Sequence, residues 1–565
     1  MMWKQILDHI PDWGAWAGTV CLTLVPFLIM GLFRQIKLMD ARLGQRKQRM
    51  ESPPAAEEQS GDPSPVPTVT DDKALLYTDE LVTNMNRFKQ VALDMDDINE
   101  RTFYLSNLDC HAVLYFVDGL TDKMALDHNV LKPMLEWGNT PLEHEKLTPE
   151  QLVHLLDQQL LLVSETEFVK EVTPSLRKVL FGSVILLLDG IQGALILGTP
   201  KGKSRSIEEP VSESVLRGPR IGFTEVLSDN TAMLRRHGET NELAMVSCKV
   251  GSRVEKQLMI VYFRDIANHE LVDEVKRRVR AIDVDEVLES GYVEQLIEDN
   301  FLSPFAQIQN TERPDRVMGA LLEGRVAILL DGSPYALLMP VTYAMMLQSP
   351  EDYYERWIPS SFIRFLRFVA TLISLFAPAI YISFISFHPG LIPTNLVISI
   401  IGTRQGVPFS TLIEALIMEL AIEILREAGL RLPKPIGPAM GIVGGLIVGQ
   451  AAVDAGIVSP ILVIVVAVTA ISSFATPMYS AGIAMRLLRF PIMFTAAMFG
   501  LYGVIMAFLF LVIHMFKLKS FGIPYVGMAA PPSIKEWKDY LIRAPIQFMR
   551  ERPGLLQTKD RKRKS

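Results

Sequence analysis

The stretch from Ser410 to Glu427 is apolar apart from a few residues that could do chemistry: Glu414, Glu419, Glu423, Arg426 and Glu427. It follows Gly402-Thr403-Arg404-Gln405-Gly406 and Val407-Pro408-Phe409, and an uncharged glycine-rich run begins at Ile436. Carboxylates in such surroundings are costly if they face lipid, so they face protein or water. That points to a conduit or a subunit interface within a membrane. At 100° per residue, Glu419, Glu423, Arg426 and Glu427 share a stripe roughly 80–100° wide, and Glu414 falls roughly opposite Glu423. Two readings follow. In one, Glu414, Glu419, Glu423 and Arg404 line a cation path, repeated by symmetry as a carboxylate ring. In the other, an amphipathic helix lies at the interface with its charges in water.

Other chemistries find little support. Gly198-Thr199-Pro200-Lys201-Gly202-Lys203-Ser204 has three residues between its glycines where a phosphate-binding loop has four, and Pro210 follows instead of a helix pattern. His144-Glu145 is not part of an H-E-x-x-H motif, and Cys21, Cys110 and Cys248 are isolated. No catalytic residue, metal site or cofactor is expected, and the chain does not read as an enzyme.

The chain has 565 residues, 49% hydrophobic, with a formal net charge of −7 and mean hydropathy of +0.23. Its charge is segregated. Acidic residues concentrate between Asp71 and Glu355, and the tail from 515 to 565 is basic. Such a tail suits nucleic acid or the cytoplasmic flank of a membrane; the positive-inside rule favours the membrane, with no nucleic acid.

The elements that position the charged helix are expected as follows. Residues 1–33 form a membrane anchor from the uncharged run Ala15–Phe33, with a cleaved signal peptide as the competing reading. Residues 34–70 form a basic, then Pro-rich linker. Residues 71–360 form a cytoplasmic α/β domain of two related subdomains, about 71–175 and 176–350. Three apolar runs closed by Asp-Gly (Ala112–Gly119, Val184–Gly190, Val326–Gly332) predict buried strands entering tight turns. Ala194–Leu197 and Tyr335–Met339 return as partner strands of the last two, and the aspartates are assigned to the turns.

Residues 361–514 form an α-helical transmembrane domain. Phe368–Phe387 predicts a span, broken by His388-Pro389-Gly390, and the segment 391–432 is expected to be re-entrant. Gly437, Gly441, Gly445 and Gly449 repeat a small-residue spacing that suits close helix packing. A further span covers about Ile457–Ser480, Arg486 and Arg489 form a charged elbow, and Phe490–Ile513 is the last span. Placing the soluble domain and the tail on one side requires an even number of spans. Four are expected if 391–432 dips in and returns; five if the glutamate helix crosses.

Several motifs resemble the A subunit of GerA-type spore germination receptors. In the membrane block these are Leu391-Ile392-Pro393-Thr394, Gly406-Val407-Pro408-Phe409, Glu414-Ala415-Leu416-Ile417-Met418-Glu419, Ile424–Pro433, Gly449–Val453, Ala455–Pro460 and Arg486–Pro491. In the soluble part they are Val117–Leu120, Glu209–Glu213, Leu216–Arg220, Gly222–Glu225 and Asn230. The resemblance covers roughly Leu75 to Met528. Gln405 stands where the family usually has Glu, and the N-terminal span and linker are extra to the usual pattern. The resemblance implies a multi-pass subunit of the spore inner membrane, with the soluble domain and tail on the cytoplasmic (core) side. It implies a ring-like homo-oligomer, a transporter-like B subunit and a C lipoprotein as partners, and a path for monovalent cations. A non-conducting scaffold for those partners is the alternative.

Overall fold

The computed structural model describes residues 75–563 apart from 107–108, 139–148, 202–208, 211, 214, 239, 432–436, 527–538 and 540–541. The expected anchor and linker and the His144-Glu145 pair lie outside the described residues.

Two five-stranded antiparallel sheets share one strand order. The first contains β1 (Ile98–Leu105), β2 (Cys110–Val117), β3 (Thr166–Val169), β4 (Val184–Leu188) and β5 (Ala194–Leu197), in the order β1-β2-β4-β5-β3. The second contains β6 (Leu243–Val250), β7 (Lys256–Phe263), β8 (Gln309–Thr311), β9 (Val326–Leu330) and β10 (Ala336–Met339), in the order β6-β7-β9-β10-β8. The expected hairpins are present: β4 pairs with β5 and β9 with β10. Because β4 and β5 complete the first sheet, the seam between subdomains lies after Leu197 and not near residue 175.

Alternation explains why β4 and β9 read as continuous apolar runs. Ile185 and Leu187 enter the core on one face of the first sheet, and Val184, Leu186 and Leu188 enter the core on the other. In β9, Ala327 and Leu329 point one way and Val326, Ile328 and Leu330 the other. Each full burial of a Val, Leu or Ile contributes about 1.5–3 kcal/mol.

The turn aspartates do structural work. Helices α1 (Leu81–Val91) and α3 (Leu227–His237), with α2 (Val172–Leu180) between them in the chain, begin without a cap from their own N-cap side chains. Asp189 accepts from the Leu81 amide at 3.1 Å, and Asp331 from the Leu227 amide at 3.2 Å. Asn84 and Asn230 repeat a second device, each bridging the amide and carbonyl of a threonine six residues earlier, Thr78 and Thr224. The subdomains are therefore two copies of one plan. They meet through Arg235 on α3, which is buried and makes two 2.8 Å bonds to Asp97.

Helices α4 (His269–Arg280), α5 (Ser290–Ile297) and α6 (Pro314–Leu322) complete the second subdomain. Next comes a helical bundle: α7 (Trp357–Ser386), a short α8 (Thr394–Arg404), α9 (Thr411–Arg431), α10 (Gly437–Asp454) and α11 (Pro460–Ser473). The final helical run, Tyr479–Lys517, is two helices, because Gly500 inside it has φ 60° and ψ −141°. The chain reverses there: Phe508 in α13 (501–517) stacks edge-on against Phe376, while Arg489 in α12 (479–499) bonds Ser374. Residues 376 and 374 are neighbours on α7, so α12 and α13 lie side by side.

Contacts along the bundle fix its directions. Ser386 meets Thr411, and Ser459, at the start of α11, meets Glu414. At the other end Ser473 meets Arg426. Helices α7, α9, α10, α11, α12 and α13 thus run alternately away from and toward the soluble domain. This differs from the re-entrant segment expected over 391–432: α9 runs the length of the bundle, and Gly500 divides the expected last span Phe490–Ile513. It also corrects the elbow, since Arg486 and Arg489 lie inside helix α12.

The tail returns to the soluble domain. Ser520 accepts from the Val341 amide and donates to the Gln307 carbonyl, and Tyr525 is fully buried. Farther on, the Lys559 amide bonds the Ile266 carbonyl at 3.0 Å and Arg552 bonds the Leu322 carbonyl at 2.8 Å. The expectation of a membrane-flanking tail does not include these contacts. These segments are bound to protein.

Candidate functional site: arginine–glutamate pairs inside an apolar bundle

Helix α9 carries its glutamates at successive depths, and each meets arginine. At the end far from the soluble domain, Arg404 donates to Glu414 at 2.7 Å and to Thr411 at 2.7 Å. Glu414 is fully buried and its second oxygen accepts from the Ser459 amide at 3.2 Å. Tyr381 and Ser459 hydroxyls lie 3.0 Å apart and extend this polar patch. A cavity of about 320 Å3 bounded by Ile385, Val397 and Ile400 reaches Arg404 and Gln405.

Midway along the bundle, Glu419 pairs with Arg489, both buried. Arg489 also donates to the Ser374 carbonyl at 2.8 Å and to its hydroxyl at 3.1 Å. One turn nearer the soluble domain, Glu423 lies 3.8 Å from Arg426 and 3.5 Å from Arg486, with its side chain 40% exposed. Glu427 pairs with Arg431 on the surface at 2.7 Å.

The expected stripe thus splits in use. Glu419 and Glu423 face α12, Glu427 faces out, and Glu414 faces the α8–α9 loop and the start of α11. The distribution is inverted relative to a water-soluble helix. Outward positions are apolar, with Leu420 52%, Ile424 68%, Ile464 64% and Phe510 67% exposed. Charges at Glu414, Glu419 and Arg489 sit inside. An apolar exterior around a paired polar interior suits surroundings of low polarity, and α7, 30 residues long, has the length and composition to cross a membrane. These features suggest a membrane association.

Of the glycine series, Gly445 has open space about it, and a side chain on Gly449 would touch Val463 of α11 at 3.4 Å. The surroundings of Gly437 and Gly441 lie outside the described residues. Sequence reasoning missed Arg489 and Arg486 as partners of α9. Their signal was two arginines seven to ten residues into an apolar segment, matched by unpaired glutamates elsewhere.

The helices and the soluble domain share one core. Phe305, Val341 and Met346 pack in a cluster with Leu375, Met485 and Tyr525. At the junction, buried Asp352 takes Arg364 at 3.2 Å and Arg367 at 2.8 Å, and Arg364 also holds Asp539 of the tail at 2.8 Å. Arg552, Asp560 and Arg563 line a cavity of about 920 Å3 together with Phe263, Met318 and Tyr353.

Comparison with known proteins agrees along most of the chain. Residues 86–555 match the model of the Bacillus/Clostridium GerA spore germination protein family. Spore germination protein GerLA of Bacillus cereus is 44% identical over 469 residues, covering 82% of this chain and 93% of that protein. Spore germination protein B1 of Bacillus subtilis (strain 168) is 42% identical over 475 residues, 84% and 96% of the two chains. The solved N-terminal domain of the A subunit of the Bacillus megaterium spore germinant receptor GerK3 is 30% identical, with 48% of this chain and 98% of that one covered. Its TM-score, 0.37, is too low to support a shared fold by itself. Matched from the first strand's approach to the tail that returns to the soluble domain, the chain belongs to the GerA spore germination protein family.

Proposed function

We propose that this chain is the A-type subunit of a nutrient-responsive spore germination receptor that oligomerises in the spore inner membrane and forms a gated path for monovalent cations. The observation that carries the reading is the line of arginine–glutamate pairs at successive depths of one helix in a bundle with an apolar exterior. Buried pairs are weak contributors to stability, so a line of them along one helix suits a role in conduction. In the arrangement described, every carboxylate of the line is neutralised by arginine, as a shut path requires. Opening would exchange those partners for ions, and Glu423, half open already, is the first within reach.

The six alternating helices and the tail's return support a multi-pass chain with soluble domain and tail on one side, taken as the cytoplasmic (core) side. A transporter-like B subunit and a C lipoprotein are the proposed partners. The burial of Glu414 and Glu419 against arginine also fits a non-conducting scaffold for those partners. Spores carrying Glu423→Gln separate the two. The channel reading expects slower potassium release on nutrient addition at unchanged receptor level, whereas unchanged release would leave the scaffold.

A further inference from the structure

We propose that Arg426 and Arg486 form a binding site for the phosphate of an anionic lipid headgroup. The inference rests on the bundle lying in a membrane and is independent of whether it conducts. The other buried nodes of α9 pair one arginine with one glutamate: Arg404 with Glu414, and Arg489 with Glu419. Here a single carboxylate, Glu423, stands between two guanidinium groups at 3.8 and 3.5 Å. The remaining carboxylate nearby, Glu427, is taken by Arg431. One positive charge is left over.

The two guanidinium groups are also short of acceptors. The side chains of Arg426 and Arg486 are each 11% exposed, and the Nε of each is buried without a hydrogen-bond partner. Arg426 spends one nitrogen on the Ser473 hydroxyl at 2.8 Å. A phosphate accepts from several guanidinium nitrogens at once and carries the missing charge, which a water molecule does not. The position suits a headgroup. The node lies at the soluble-domain end of the bundle, where α9 and α11 end and α12 begins. Phe474 lies under Arg426 at 4.7 Å and Tyr479 beside Arg486 at 5.8 Å, and both rings are more than half exposed. Aromatic rings at that level mark the boundary between headgroups and acyl chains. A free phosphate would use the same nitrogens without that boundary.

The test titrates the full chain in neutral detergent with phosphatidylglycerol, phosphatidylcholine or inorganic phosphate and follows its melting temperature. Phosphatidylglycerol should raise it and phosphatidylcholine should not. Arg486→Gln should weaken half-saturation about tenfold, as loss of one charged hydrogen-bond donor implies. Glu423→Gln, which removes the competing carboxylate, should tighten it, an effect that a merely damaged fold does not produce. Equal response to both lipids, an unchanged Arg486→Gln, or a Glu423→Gln that binds no more tightly overturns the site. A response to inorganic phosphate equal to that of the lipid overturns the headgroup as its source. Flotation of the protein with vesicles tests the membrane placement separately, so failure there is distinguishable from failure of the site.

Discussion

Arg489 and Glu419 lie 70 residues apart in the chain and form a buried ion pair between two helices of the bundle. Removing one partner leaves an uncompensated buried charge, which costs about 3–5 kcal/mol. Arg489→Gln should therefore lower the melting temperature of the full chain in detergent sharply. Replacing both residues by leucine should recover most of the loss, and a double variant as unstable as the single one would contradict this account. A second residue-scale expectation concerns pH. Burial, then Glu298 and Glu289, pushes the Glu294 carboxyl from 4.5 up to about 7, and burial, then Asp299, does the same to Glu298. The folded state then holds protons that the unfolded chain has released. Their stabilisation is full below pH 4.5 and is lost as pH rises toward 7. The second subdomain should melt at a higher temperature at pH 5 than at pH 8, and Glu294→Gln should flatten that difference.

Among the elements, the Gly500 reversal decides the helix pairing. A side chain there would sit 3.0 Å from both Phe387 and the His388 ring, in a backbone conformation reserved for glycine. Gly500→Ala should destabilise the bundle by roughly 1–3 kcal/mol, read as a lower melting temperature, while alanine at Gly445, which has open space, should be nearly silent. This reversal was not legible in the sequence. Phe499-Gly500-Leu501 carries no proline, no charge and no polar turn residue, so hydropathy runs straight through it. The buried strands were legible, because β4 and β9 announce themselves as five apolar residues closed by Asp-Gly. The seam between subdomains was misplaced because α2 and β3 leave no break in composition near residue 175. The glutamates of α9 were legible by type and spacing, but their partners were not: pairing across 63 to 70 residues leaves no local pattern, and a rule that places arginines at membrane edges hides Arg489.

Across the whole molecule, the tail ties the ends together. Deleting residues 551–565 removes the bonds from Lys559 to Ile266, Arg552 to Leu322 and Arg563 to Glu323. Hydrogen exchange should then quicken around 264–267 and 320–325 while the first sheet keeps its protection; loosening of both subdomains alike would mean that the tail is not a local wall.

That tie has a consequence for how the protein is made. Residues 539 and 552–563 follow every helix of the bundle in the chain, yet they complete contacts with Arg364 at the head of α7 and with Ile266 in the second subdomain. The α/β domain precedes the bundle in the chain but receives part of its wall from residues made after the bundle. A chain cut short before residue 552 therefore lacks that seal and exposes the surface it covers.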